Sequence, residues 1–342
     1  MPFCEVNGAR IYYEMAGEGA ETIVFAHGLF FDNRMWERQM EEFSARYRCI
    51  AFDFRGQGKS QVTSGGYDMD TLARDAIGLI EELGEGPVHF VGLSMGAYVG
   101  LRIAARKPSL IRSLVLIGAS AEPESMLNYP RYYGLVAASL TIGLLVLIPA
   151  VFPVLFSEPF LQDPKKRALR REIVRIFRAN RRWGISMAAY GVLSRLSIAD
   201  ELGAINAPTL LLTGELDAAT PPSKSVSLAR RIKRAELVTL PQAGHMLPYE
   251  VPEQVNHEIG QFFIRQKERL AEEMARKVAL GLAEAPEASE VAPIETVNSA
   301  PEAAAGDATH AAYADQSAPA GQLAAPTEES APKAPTEAQT QA

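Results

Sequence analysis

At 342 residues the chain has material for one large domain or two small ones, with 47 % apolar residues to build a core. The net charge of −7 is unevenly spread: residues 283–342 hold ten Asp and Glu against one Lys, so the rest of the chain is about +2 and no general attraction to nucleic acid follows. Two cysteines, Cys4 and Cys49, are too few for a disulfide framework, and the N-terminus lacks a basic stretch followed by an apolar one, so a reduced, cytoplasmic protein without a signal peptide is expected.

In chain order, apolar runs over 3–6 and 11–14 flank Asn7-Gly8 and predict a hairpin. A strand is expected over 22–26, an amphipathic helix over 36–47, a strand over 49–54, and a helix over 69–83 capped by Asp68. Val88, Phe90 and Val91 predict a strand ending at Gly92, a helix follows over about 97–107, and 113–117 is the next strand. This alternation suits a mostly parallel sheet. It stops until the strand-like run 209–212, and the stretch between, about 119–204, is helical in texture. A strand over 237–240 and a helix over 252–282 complete the folded part. Residues 283–342 are Ala, Pro, Glu, Thr and Gln with almost no large apolar side chains, a composition expected to be disordered.

The chemistry centres on Gly92-Leu93-Ser94-Met95-Gly96, set between a strand and a helix. A serine at the apex of such a turn has its hydroxyl pushed clear of the sheet, and the flanking positions leave room only for glycine. A nucleophilic serine needs a base to take its proton and an acid to orient that base. Asp217, in Gly214-Glu215-Leu216-Asp217, and His245, after Gly244, each follow a strand-like run and supply acid and base in that order. Glu215, Asp200 and Glu201 are competing acids; the Gly-x-x-Asp spacing favours Asp217. His27 is expected to hold its own turn, Asp53 and Arg55 to brace the turn around Gly56 and Gly58, and His89 and His257 to be bystanders.

With His27-Gly28, Asp53-Phe54-Arg55-Gly56-Gln57-Gly58-Lys59-Ser60, the Ser94 pentapeptide, the Gly214–Asp217 turn and Gly244-His245, the chain resembles the α/β-hydrolase superfamily over residues 3–265, in its serine esterase and enol-lactonase-like branch. The resemblance implies a mostly parallel eight-stranded sheet with helices on both faces. Its core is formed by 1–118 and 205–282, with a helical cap at 119–204. It also implies an oxyanion hole made by the backbone N–H groups of Leu29 and Met95, and chemistry that needs no metal or cofactor. Serine at position 94 departs from the branches that use aspartate or cysteine there.

The reaction expected is hydrolysis of a carboxylic ester with an apolar acyl group, through an acyl-enzyme. Enol-lactone hydrolysis is the alternative, since the pentapeptide and Asp217-Ala218-Ala219-Thr220-Pro221-Pro222 are similar to 3-oxoadipate enol-lactonases. A non-catalytic binding protein on the same fold is a third reading. Residues 133–156 carry no charged side chain over 24 positions, long enough for one membrane crossing. The strands on either side belong to one sheet, however, and Pro149 and Pro153 break the run. Helices packing over the active site and lining an acyl pocket are therefore expected. The basic residues from Lys165 to Arg182 add peripheral contact with an anionic membrane surface as a second reading.

Overall fold

A computed structural model of the chain describes residues 2–280 and 282. Its strands are β1 (Phe3–Val6), β2 (Ala9–Ala16), β3 (Thr22–Ala26), β4 (Arg48–Phe52), β5 (Val88–Leu93), β6 (Ile111–Ile117), β7 (Thr209–Gly214) and β8 (Ala235–Leu240). They form a single sheet in the order β1-β2-β4-β3-β5-β6-β7-β8. β1 and β2 are an antiparallel hairpin turning at Asn7 and Gly8, both at positive φ; β2 runs antiparallel to β4, and every later pairing is parallel. The expected eight-stranded, mostly parallel architecture is observed.

Successive residues of a strand point to opposite faces, and here both faces are covered. Val24, Phe90, Leu114 and Leu211 face one apolar core, closed by the helices α2 and α3 described below. Phe25, Val91, Val115 and Leu210 face the other, which Trp36, Phe43, Phe262 and Phe263 fill. This is why 23–26 of β3, 114–117 of β6 and 210–212 of β7 read as apolar runs rather than as alternating ones.

The helices between the early strands are α1 (Glu37–Phe43), α2 (Met69–Glu82) and α3 (Met95–Arg106). Asp68 caps α2 by accepting the Thr71 N–H at 2.8 Å. The expected helix over 36–47 is shorter than its periodicity: a 3-10 turn, Asn33–Trp36, capped by Asp32, feeds α1, which stops at Phe43. α3 starts directly after Ser94, two residues earlier than its apolar pattern indicates, because the tight turn leads straight into helical geometry.

Between β6 and β7 lie α4 (Tyr129–Thr141), α5 (Ile148–Leu155), α6 (Glu158–Gln162), α7 (Arg167–Ala179) and α8 (Arg182–Leu193). The uncharged run is not one helix: α4 ends at Thr141, Gly143 sits at φ +106, and a 3-10 turn, Leu144–Leu147, precedes α5. No described helix is long and apolar enough to cross a membrane. After β7 come α9 (Pro222–Arg231), α10 (Leu247–Glu250) and α11 (Pro252–Ala279). α11 buries Val255, Ile259, Phe262 and Phe263, while Leu270 and Met274 further along are exposed. The tail expected to be disordered, 283–342, lies outside the described residues.

Candidate active site

Ser94 sits at the junction of β5 and α3 with φ +52 and ψ −109, a backbone state that a residue with a Cβ rarely adopts. Two close approaches hold it there. A Cβ on Gly92 would run into the backbone of Gly96 and Ala97, and one on Gly96 into the Ala26 carbonyl of β3. Glycine at both positions lets α3 pack directly against the sheet with the serine at its first turn.

Asp217 and His245 emerge from the loops after β7 and β8. Asp217 Oδ2 lies 2.8 Å from His245 Nδ1 and accepts the Thr220 hydroxyl at 2.9 Å; Oδ1 accepts the backbone N–H groups of Ala219 at 2.9 Å and Thr220 at 2.8 Å. A carboxylate so surrounded by donors is an acceptor, so Nδ1 of His245 carries the proton and Nε2 holds the lone pair. Ser94 and His245 line the same cavity, although among the described residues no hydrogen bond joins them. Glu215 instead accepts the Gln242 N–H, and Glu201 pairs with Arg106.

Of the other histidines, His27 holds its own turn as expected. His27 is fully buried, its Nδ1–H donating to the Gly28 carbonyl at 2.8 Å and its Nε2 accepting the Phe54 N–H at 3.0 Å. That arrangement requires the neutral ring, and burial holds its pKa down to about 4. His89 meets Ser113 at 2.7 Å within the sheet. Asp53 accepts the N–H groups of Asn33 and Lys59, each at 2.7 Å, although burial pushes its pKa up to about 7. Arg55 makes a two-pronged contact with Asp75. Gln57 fixes the turn after β3 by accepting the Phe30 N–H at 3.0 Å. The N–H groups of Leu29 and Met95 have no acceptor among the described residues.

Two contributors have no local signature. Glu250, on α10, accepts the N–H groups of Gly244 at 3.0 Å, Met246 at 3.2 Å and Ser157 at 3.1 Å, so it grips the backbone on both sides of His245. Burial raises its pKa. Gly118, just past β6 with φ +56, lies against the His245 ring, where a Cβ would come within 2.7 Å of Cε1. A glycine flanked by apolar residues and a glutamate in a short helix do not stand out in sequence.

The cavity holds about 150 Å³ and is mostly apolar; Leu135, Val136, Val151 and Leu155 from α4 and α5 and Val192 from α8 line it together with Ser94. Arg131, Arg195 and Glu124 also border it. Among the described residues, no group of three or more His, Cys, Asp or Glu side chains is placed to hold a metal ion.

A parallel sheet with a strained serine between strand and helix, and a buried Asp–His pair beyond two later strands, defines a hydrolase of the α/β type. Residues 23–258 match the model of the alpha/beta hydrolase family, and the chain belongs to that family. Among its relatives is the AB hydrolase superfamily protein YisY of Bacillus subtilis, 31 % identical over 264 residues, 74 % of this chain and 94 % of that one. A thermophilic esterase from Thermogutta terrifontis has a similar structure, with TM-score 0.72 and 29 % identity, over 77 % of this chain and 98 % of that one. The enol-lactonase from Burkholderia xenovorans LB400 matches with TM-score 0.72 and 27 % identity, over 77 % of this chain and 99 % of that one.

Proposed function

We propose that the chain is a serine hydrolase that cleaves a carboxylic ester with an apolar acyl group. The single observation that carries this reading is that Ser94, held at φ +52, shares one apolar cavity with His245, whose Nδ1 is engaged by Asp217 at 2.8 Å. Ser94 Oγ attacks the ester carbonyl as His245 Nε2 takes its proton, and the imidazolium is stabilised by Asp217. The N–H groups of Leu29 and Met95, the latter at the positive end of α3, receive the oxyanion. The alkoxide leaves with the proton from His245, and an acyl-enzyme remains. Water, deprotonated by the same nitrogen, attacks that ester and releases the carboxylic acid and free Ser94.

The division into a core, 1–118 and 205–282, and a cap, 119–204, belongs to this reading: the cap helices supply most of the apolar wall. A cavity of about 150 Å³ is the size that holds a benzene-sized group, which favours short and medium acyl chains. Lactone hydrolysis is the second reading, favoured by the similarity to an enol-lactonase and by the arginines that border the cavity. Two buried free thiols, Cys4 and Cys49, agree with a reducing, cytoplasmic setting. Peripheral contact of the cap with an anionic lipid surface is the remaining part of the reading. It is supported by exposed Ile142, Leu145 and Val146 on the turn that packs beside basic α7 and Arg182.

The test is a p-nitrophenyl ester series from acetate to decanoate on wild type and Ser94→Ala, with fluorophosphonate labelling alongside. Turnover should peak at short or medium chains and fall by about 10⁴-fold or more in the variant. Retention of turnover in Ser94→Ala would overturn the mechanism. Absence of both turnover and labelling would favour a non-catalytic binding role.

A further inference from the structure

Three arginines are buried among the described residues, and two have a carboxylate: Arg55 is paired with Asp75, and Arg102 Nε donates to Asp70 at 2.7 Å. Arg195, just past α8 and 8 % exposed, differs. One NH1 hydrogen bond goes to the Val192 carbonyl at 2.8 Å, the guanidinium lies 4.4 Å from the centre of the Tyr98 ring, and Nε is buried with no partner. No carboxylate of the described residues forms an ion pair with it. Taking a cation out of water without an anion is costly, and a buried guanidinium with unclaimed donors is a ready receptor for one.

Its position says which anion. Arg195 borders the cavity that contains Ser94 and His245, and Tyr98 lies one turn along α3 from the serine, its N–H donating to the Ser94 carbonyl at 2.9 Å. Four residues of helix rise about 6 Å. Between the two ends the wall is apolar. Two other charged groups border the cavity: Arg131, exposed on α4, adds positive charge, while Glu124 is engaged by the Ser125 N–H at 3.0 Å and Asn128 Nδ2 at 2.8 Å.

We propose that Arg195 is the substrate-anchoring residue for a carboxylate. The substrate class is then an ester or lactone whose acyl part ends in a carboxylate, with the scissile carbonyl at Ser94, a short apolar spacer along the cavity, and the anion on the Arg195 guanidinium. This rests on the reading of the cavity as the active site and narrows it from an apolar acyl group to an ω-carboxylated one.

The experiment compares matched pairs: p-nitrophenyl half-esters of glutarate, adipate and suberate against the p-nitrophenyl esters of pentanoate, hexanoate and octanoate. For at least one pair, wild-type kcat/KM should favour the anionic member by about tenfold or more, carried mainly by KM. Arg195→Met should abolish that preference, and Arg195→Lys should restore part of it. A preference for the neutral member at every length, or an anionic preference that survives in Arg195→Met, overturns the proposal. The wild-type comparison decides alone if Arg195→Met does not fold. Ser94-dependent turnover of neutral esters without anionic preference removes this proposal and leaves the serine hydrolase reading standing. Loss of both turnover and phosphonate labelling removes both. If Ser94 is labelled but turns neither ester over, protection from labelling by monomethyl adipate in excess of methyl hexanoate supports the proposal, and equal protection overturns it.

Discussion

The backbone N–H of Ser157, between α5 and α6, donates to Glu250 Oε2 at 3.1 Å, joining the helices between β6 and β7 to the loop that carries His245. The same carboxylate also takes the N–H groups of Gly244 and Met246, so one buried side chain ties the α5–α6 junction to the histidine loop. Leu155 reinforces the link, its carbonyl accepting the His245 and Met246 N–H groups, both at 3.1 Å.

Replacing this carboxylate should therefore affect stability and chemistry together. Glu250→Gln keeps the volume but turns an amide NH₂ toward backbone donors, stranding at least one of them. A loss of about 1–3 kcal/mol in urea unfolding is expected, with a fall of tenfold or more in kcat at little change in KM. Unchanged kcat in a folded Glu250→Gln would show that the histidine loop holds its place without the staple.

Gly118→Ala tests how tightly the imidazole is held. The new methyl group would overlap the His245 ring, and φ +56 is itself unfavourable for alanine. Displacing the base by about 1 Å costs on the order of 10²-fold in rate. The measurement is kcat on the best ester, with the fluorophosphonate labelling rate falling in parallel. A variant that folds and labels at the wild-type rate would mean the ring has room to move.

His27 makes stability depend on pH. Its folded pKa of about 4 lies below the ordinary histidine value of 6.5, so between these values the unfolded chain binds a proton that the folded chain refuses. Stability rises with pH through that window and is lost as pH falls, by on the order of 3 kcal/mol for this group. Asp53, whose folded pKa is raised to about 7, contributes in the opposite direction, stabilising at low pH and losing that contribution as pH rises toward 7. The difference between wild type and His27→Gln isolates the histidine. Urea unfolding at pH 4.5 and pH 7 should show a smaller pH dependence in the variant, and identical slopes would contradict the neutral, buried assignment.

Membrane contact makes a salt-dependent prediction. Ile142 is 67 % exposed and Val146 is 55 % exposed, on the turn beside α7 and exposed Arg182. Sedimentation with vesicles rich in phosphatidylserine should be seen at low salt, weaken with rising salt, and drop several-fold in Ile142→Ser/Val146→Ser. Equal recovery with neutral and anionic vesicles would count against an electrostatic contribution.

What the sequence determined by itself follows from local constraint. The Gly92-x-Ser94-x-Gly96 turn, the Asp68 cap and the Asn7-Gly8 hairpin each depend on backbone geometry within a few residues, so the residue types announce them. The placement of helices on both faces of the sheet was implied by the family resemblance, since β5 and β6 carry His89, Arg112 and Ser113 within their apolar runs. The candidate residues Ser94, Asp217 and His245 could be picked out because the residue types able to act as nucleophile, acid and base just past a strand are few. Tertiary structure alone decided the rest, since those groups acquire their role from partners far along the chain. Glu250 meets Ser157 across 93 positions, and Gly118 meets His245 only because β6 lies beside β7 and β8 follows. Arg195 carries a charge like any surface arginine in the sequence; only the fold removes it from water, leaves it without an ion pair among the described residues and sets it at the border of the cavity that holds Ser94.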